Sequence, residues 1–190
     1  MAISRISTSS IQQSFPKSTS FWDLTSVPEN GAYDSIATTT VGAGGSATIT
    51  FSSIPQTYKH LQVRCLHQNA STSNLRYQFN GDTATNYSWH QVYGDGANAG
   101  ASATANEAYG LGSYLFAQWG ATVLDVLDYA NTNKNKTVRS VGGTDANGSG
   151  YVGLQSGLWR NTSAITKIDI KATGGSFIQH SHFALYGIKG

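Results

Sequence analysis

The fold is decided by the stretch Phe177-Ile-Gln-His-Ser-His-Phe-Ala-Leu-Tyr-Gly-Ile-Lys-Gly190, which is largely apolar and follows a Gly174-Gly175 turn. Such a segment is typical of a β-strand. Before the turn, Ala164–Ala172 places Ile168 and Ile170 on one side and Lys167 and Asp169 on the other. This alternation has the period of a half-buried strand. The two segments together predict an antiparallel hairpin.

Similar short segments recur upstream, separated by turns about 8 to 12 residues apart, as in sandwiches and barrels. Asn80-Gly81 is a strong turn signal between two of them. Val123–Ala130 also fits a helical face, but it is short and begins with a β-branched residue, so we expect a strand. The pattern predicts an all-β fold, an antiparallel jelly-roll-like β-sandwich of about 8 to 10 strands. The predicted strands before the hairpin are Ser35–Val41, Ser46–Phe51, Tyr58–His67, Leu75–Phe79, Tyr87–Tyr93, Tyr109–Gln118, Thr122–Tyr129, Lys136–Val141 and Tyr151–Trp159.

Two stretches are predicted to be exposed connections, and the single cysteine is predicted to be buried in the core. Gly94–Asn106 is a run of very small residues, from which we expect a surface loop. Asn131–Lys136 is predicted to be an exposed polar turn. Cys65 alternates with Leu61 and Val63, so we expect a small buried apolar side chain rather than a nucleophile.

Residues 1–32 differ from the rest, because their apolar side chains are scattered without a sustained period. We predict an extended N-terminal anchoring arm over 1–32 and a β-sandwich domain over 33–190. An ordinary disordered tail is the alternative. Large apolar side chains in such an arm supply contact area against a partner. The predicted anchors are Ile11, Phe15, Phe21 and Trp22.

Composition limits the classes of function. Charged residues make up 12% of the 190 residues, and the formal net charge of +2 comes with no cluster of Lys or Arg. Phosphate binding needs several cations on one face, so we expect no nucleic-acid partner. The first residues lack the apolar run of a secretory signal, and no stretch is long and apolar enough for a membrane span, so we expect no membrane partner.

Catalytic and metal motifs are weak in this sequence. It contains neither a Gly-x-Ser-x-Gly elbow nor a His-Glu-x-x-His pair, and Asp125 and Asp128 would point to opposite faces of a strand. We therefore predict that the protein is not an enzyme and uses no cofactor. His180 and His182 would share one face of the final strand and are weak metal candidates. Two imidazoles do not complete a metal site, so a structural role is the favoured reading.

A ligand surface is the main rival to a purely structural role. An aromatic platform with polar neighbours is a common composition of sugar-binding surfaces. Buried core aromatics would give the same pattern, and the sequence leaves both readings open. The candidate residues are Trp89, His90, Tyr93, Asp95, Trp159 and Arg160.

Four segments carry a resemblance to a known group of proteins. They are Phe183-Ala-Leu-Tyr-Gly-Ile-Lys-Gly190, Tyr87-Ser-Trp-His90, Val123-Leu-Asp-Val-Leu-Asp-Tyr-Ala-Asn131 and Gly157-Leu-Trp-Arg-Asn-Thr-Ser-Ala-Ile165. Over residues 33–190 the chain resembles small virion structural proteins of tailed bacteriophages, which include capsid decoration, tail and fibre proteins. The resemblance implies a virion location and a major capsid protein or another virion protein as partner. We also expect a homo-oligomer, with a trimer suggested by the three-fold sites of shells.

The length of the arm distinguishes between a capsid decoration protein and a fibre protein. About 30 extended residues span on the order of 100 Å at most, and the arm shows no heptad or other fibrous repeat. We therefore expect no shaft, and the sequence favours a capsid decoration (cement) protein that stabilises the shell. The alternative is a tail-fibre or receptor-binding tip that recognises a host surface glycan.

Overall fold

A computed structural model describes residues 32–190, and these residues form twelve strands. The predicted arm and its anchors Ile11, Phe15, Phe21 and Trp22 lie outside the described residues. The strands are β1 (Tyr33–Thr40), β2 (Thr48–Phe51), β3 (His60–His67), β4 (Ser73–Phe79), β5 (Tyr87–Gly94), β6 (Ala99–Glu107), β7 (Gly110–Leu115), β8 (Gly120–Leu127), β9 (Lys136–Asp145), β10 (Gly150–Trp159), β11 (Ile168–Ala172) and β12 (His182–Ile188).

The strands form two antiparallel sheets, which confirms the predicted all-β sandwich. The larger sheet has the order β1-β12-β3-β8-β9-β10-β5-β6, and the smaller has the order β2-β11-β4-β7. Without β5, β6, β9 and β10, the remaining eight strands form two four-stranded sheets, β1-β12-β3-β8 and β2-β11-β4-β7. This interleaved order is that of a jelly roll.

Two inserted hairpins enlarge one sheet and raise the strand count above the prediction. The β5–β6 hairpin interrupts the connection between β4 and β7, and the β9–β10 hairpin interrupts that between β8 and β11. β10 pairs with β9 on one side and with β5 on the other, so the two hairpins join into one block. We call this block of β9, β10, β5 and β6 the extension.

The core lies between the sheets and holds the side chains that the period-two pattern selected. Leu61, Val63 and Cys65 in β3 are buried, which confirms the expectation for this strand. Burial raises the pKa of the Cys65 thiol, so the thiolate form is disfavoured. A second part of the core is aromatic, with the Phe79 and Trp159 rings 5.5 Å apart. Each large apolar side chain buried in this way stabilises the fold by about 1.5 to 3 kcal/mol.

The predicted terminal hairpin is wrong. β11 pairs with β2 and β4 in the smaller sheet, whereas β12 pairs with β1 and β3 in the larger one. The connection between them carries Phe177, which is fully buried and forms bridges with Ser46 and Asn69. Burial of this ring against Phe183, at 4.8 Å between ring centroids, takes the chain from one sheet to the other instead of back along β11.

The predicted surface loop over Gly94–Asn106 is also wrong, because most of it is strand β6. Asp95–Asn98 form the turn, in which Gly96 has φ of +91°, and β6 then pairs with β5. At least one small residue of β6 is required by its packing, because a Cβ at Gly100 would lie 2.7 Å from the Tyr93 ring. Backbone pairing requires no large side chains, so a run of small residues need not be a loop.

The polar turn before β9 is exposed at residues 132–135, as expected, but Lys136, which ends the predicted turn and begins β9, is fully buried. The Lys136 ammonium donates hydrogen bonds to the carbonyl oxygens of Lys134 (3.0 Å), Thr162 (2.9 Å) and Asn131. Desolvation lowers the pKa of Lys136. The carbonyl oxygens replace the water that the ammonium loses on burial. Because they belong to the turn before β9 and to the loop at Thr162, Lys136 joins these two loops.

Candidate interaction surface

The two tryptophans of the predicted ligand surface lie in the core and do not form a platform. Trp159 is 1% exposed, and its indole N–H donates a 2.7 Å hydrogen bond to Oδ2 of Asp82. Trp89 is 9% exposed, and the Arg76 guanidinium lies 5.3 Å from its ring centroid. The core reading is therefore correct for both residues.

The four remaining candidates are distributed over different parts of the sheet. His90 is exposed on its outer face, whereas Tyr93 points inward and stacks on Tyr151 at 5.8 Å. Asp95 caps its own turn by accepting hydrogen bonds from the amides of Ala97 (2.9 Å) and Asn98 (2.6 Å). At the end of β10, Arg160 donates to Oδ1 of Asn106 at 2.8 Å. No common ligand surface results from this arrangement.

The aspartates of the described residues hold turns and strands together. Although partial burial raises the pKa of Asp82, hydrogen bonds from Asn86 and Trp159 outweigh it and lower the pKa. Hydrogen bonds from the Asn98 and Ala97 amides lower the pKa of Asp95. The other aspartates also bond to neighbouring turns and strands: Asp34 with Lys189, Asp125 with Gln62, Asp128 with Lys134 and Lys59, Asp145 with the Asn147 amide, and Asp169 with Thr50.

The two histidines of the weak metal candidate do not share a strand face. His180 lies in the turn before β12 with φ of +73°, and His182 begins the strand. Nδ1 of His182 is 3.0 Å from Oγ1 of Thr40. Within residues 32–190 no group of three or more His, Cys, Asp or Glu side chains lies close enough to hold a metal ion.

The part of the inner face of the extension around Gln91, Tyr151 and Gln155 is polar. The Tyr151 hydroxyl donates a 3.0 Å hydrogen bond to Oε1 of Gln91, and Nε2 of Gln91 donates to Oγ of Ser102 at 2.6 Å. The amide of Gln155 lies 2.9 Å from the same hydroxyl. Burial raises the pKa of Tyr151 to about 12, so the phenol stays protonated. These bonds link side chains of β5, β6 and β10, whereas the buried hydroxyls of Ser113 on β7 and Thr144 on β9 make no hydrogen bond.

One band of the outer face of the extension is apolar and exposed. Val141, Leu154, Val92 and Ala101 lie directly opposite one another on β9, β10, β5 and β6, forming what we call the aliphatic row. Val141 and Leu154 are each 49% exposed and Val92 is 56% exposed, while Val152, beside the row on β10, is 60% exposed. A contiguous apolar patch of this kind on a soluble protein is characteristic of an interaction site.

A shallow depression lies beside the aliphatic row. Its volume is about 500 Å³, and its lining includes Val92 and Leu154 on one side and Ala101 and Ala103 on the other, together with the polar side chains of His90 and Ser156. The valine and leucine side chains project further from the sheet than the alanine side chains do. The space over the alanines therefore stays open. The surface therefore consists of a ridge and a trough side by side.

One charged pair of the large sheet lies beside the aliphatic row. Arg139 on β9 pairs with Asp125 on β8 at 3.9 Å, two residues along the strand from Val141. The row itself contains only Val, Leu and Ala. An uncharged centre with a polar rim is the usual composition of a protein–protein interface.

Sequence reasoning missed this surface because it assumed that apolar residues point inward. In part of β5 and β10 the polar side chains point inward and the apolar ones outward. Gln91 and Gln155 are buried, whereas Val92 and Leu154 face outward. The glycines of β10 gave a usable signal. A Cβ at Gly153 would lie 2.1 Å from the Tyr151 hydroxyl, so the glycine side of this strand must be the packed one.

Comparison of the chain with protein-family models, with curated proteins and with solved structures gave no match. Residues 32–190 contain no helix that could cross a bilayer.

Proposed function

We propose that this chain is a non-enzymatic structural protein of a tailed-bacteriophage virion, and that it attaches to the capsid shell as a decoration protein. The observation that carries the proposal is the exposed aliphatic row on the outer face of the extension. Two hairpins enlarge a jelly roll and present aliphatic side chains to the outside, which favours a role in protein–protein contact.

The segments that carry the phage resemblance support the proposal by their place in the fold. Phe183–Gly190 contributes most of β12, which lies between β1 and β3. Tyr87–His90 lies in β5, and the segment from Val123 begins in β8. The resemblance thus extends over the packed body of the protein. It supplies the virion setting, and the aliphatic row adds a surface for protein–protein contact beside the predicted anchoring arm.

A decoration protein stabilises a shell because it binds the assembled state and not the free subunits. The aspartates and tryptophans considered for catalysis or for sugar binding are occupied in turns, ion pairs and core packing. This leaves the glycan-binding tail tip with no aromatic platform at Trp89 or Trp159.

Purified particles of the phage that encodes the chain test the proposal. We expect quantitative mass spectrometry to find the protein in many copies per particle, and electron microscopy to place it on the shell. Particles that lack it should release their DNA at a lower temperature. A few copies at the tail would favour the tail-tip alternative, and absence from the particle would refute both.

A further inference from the structure

We propose that Asn147 is a site of spontaneous covalent modification, at which the side-chain amide is lost to give aspartate and isoaspartate, and that the fold protects Asn80 from the same reaction. The inference goes beyond the proposed function and does not depend on it. Asn147 and Asn80 are each followed by glycine. Glycine has no Cβ, so the backbone nitrogen after the asparagine is open to attack on the side chain.

The reaction needs only water. The backbone nitrogen of Gly148 loses its proton and attacks Cγ of Asn147, so that a new nitrogen–carbon bond forms. The Cγ–Nδ2 bond then breaks, and the leaving nitrogen takes up protons and departs as ammonia. Water opens the resulting five-membered succinimide ring. Opening at Cγ gives aspartate, and opening at the backbone carbonyl gives isoaspartate, in which the main chain runs through the side chain.

The two Asn-Gly turns have the same backbone geometry. Asn80 and Gly81 have φ of +52° and +70°, and Asn147 and Gly148 have φ of +57° and +95°. All four residues are exposed. Each turn has to open by backbone rotation before its nitrogen can reach Cγ. A difference in reactivity between them therefore follows from what holds each asparagine side chain.

The side chain of Asn80 is held by four hydrogen bonds. Its Oδ1 accepts from the backbone amides of Thr166 (2.9 Å) and Lys167 (3.1 Å) and from Oγ1 of Thr166 (3.3 Å). Its Nδ2 donates to the carbonyl oxygen of Ala164 at 2.9 Å. Cγ of Asn80 cannot turn toward the nitrogen of Gly81 until these bonds break.

The side chain of Asn147 has no such restraint. The hydrogen bonds of its turn join the Asn147 amide to Oδ1 of Asp145 (2.8 Å) and the Ala146 amide to the carbonyl oxygen of Ser149 (2.8 Å). Within residues 32–190 no hydrogen bond holds the Asn147 side chain or the Gly148 nitrogen. A Cβ at Gly148 would meet nothing within 4 Å, so the space around the attacking nitrogen is open.

The modification would change the tip of the β9–β10 hairpin. It adds a negative charge to a turn that already holds Asp145, and isoaspartate lengthens the main chain between Ala146 and Ser149. The 2.8 Å bond between these two residues is then lost. The turn lies outside the core, so we expect the sandwich to remain folded.

Incubation of the full chain at neutral pH and body temperature, with peptide mapping by mass spectrometry at intervals, tests the inference. Each bond at Asn80 has to break before that residue reacts, so we expect Asn147 to react at least about 100-fold faster in the folded chain. The control is the same incubation in urea. Unfolding removes the bonds, and both residues should then react at similar rates. Mapping also separates Asn30-Gly31, which lies outside the described residues.

Two variants complete the experiment. Asn147→Asp supplies the reference for one product, and Asn147→Gln should abolish the acidic form of the folded chain that accumulates with time. Equal rates at Asn80 and Asn147 in the folded chain, or the same ratio of rates in urea, would overturn the proposal. Absence of product at Asn147 in the folded chain would also overturn it. The assay uses the purified chain without particles, so its outcome is independent of the decoration role.

Discussion

Acidification should destabilise this protein through one buried histidine. His67 at the end of β3 is fully buried, and its Nε2 lies 3.0 Å from Oγ1 of Thr122. Burial lowers the pKa of His67 from 6.5 to about 4. The unfolded chain therefore takes up a proton between these two pH values that the folded chain does not bind. Stability contributed by the neutral imidazole is present above pH 6.5 and declines as the pH falls toward 4.

The expected loss follows from the size of the shift. Each pKa unit corresponds to about 1.4 kcal/mol, so the shift at His67 amounts to about 3 kcal/mol of unfolding free energy. The aspartates with lowered pKa values, Asp82, Asp95 and Asp128, lose their contributions only below their ordinary value of 3.8. The pH interval from 6.5 to 4 therefore isolates the histidine from these carboxylates.

Urea unfolding at a series of pH values, followed by tryptophan fluorescence, measures this loss. His67→Gln retains a hydrogen-bonding group but does not titrate. Between pH 6.5 and pH 4 we therefore expect its free energy of unfolding to fall by about 3 kcal/mol less than that of the unmodified chain. His90→Gln, on the exposed outer face, is the control and should follow the unmodified chain. If the unfolding free energy of His67→Gln depends on pH as strongly as that of the unmodified chain, the reasoning about buried charge is refuted.

Three further substitutions or deletions test other parts of the structure. Deleting residues 1–30 should leave a folded β-rich protein, seen by circular dichroism, that no longer sediments with particles; retained binding would move the attachment surface to the sandwich. Lys136→Met should lower the unfolding free energy by about 3 kcal/mol, because three carbonyls lose their donor. Lys134→Met at the surface should cost less than about 1 kcal/mol, and equal losses would contradict the role of Lys136. Gly157→Ala puts a Cβ 2.0 Å from the Tyr77 hydroxyl and should cost about 1 to 3 kcal/mol in urea unfolding, whereas Gly42→Ala meets nothing within 4 Å and should be neutral.

Strand positions could be predicted because burial on one face leaves a period of two in the sequence. Leu61, Val63 and Cys65 show that period, and they are core residues of β3. Val123, where a helix was the competing reading, lies in β8 as expected. The Asn80-Gly81 turn is also correct, with φ of +52° and +70° at the two residues.

Strand partners and the direction of the extension could not be predicted. Pairing of β11 with β2 and β4, in place of β12, depends on burial of Phe177 between distant segments. Local sequence contains no record of such a contact. Val92 and Leu154 have the alternation of core residues, yet they point outward because Gln91 and Gln155 find hydrogen-bond partners inside. The period gives two faces but does not say which one is buried.

The pairing of β1 with β12 has a consequence for how the protein is made. Tyr33 lies opposite Ile188, so one of the first strands of the sandwich waits for the last residues of the chain. The β5–β6 and β9–β10 hairpins join neighbouring residues and can form as soon as they leave the ribosome, but contacts of such large sequence separation form slowly. The nascent polypeptide therefore exposes part of its core until β12 has been synthesised, and its yield should depend on chaperones or on growth at low temperature.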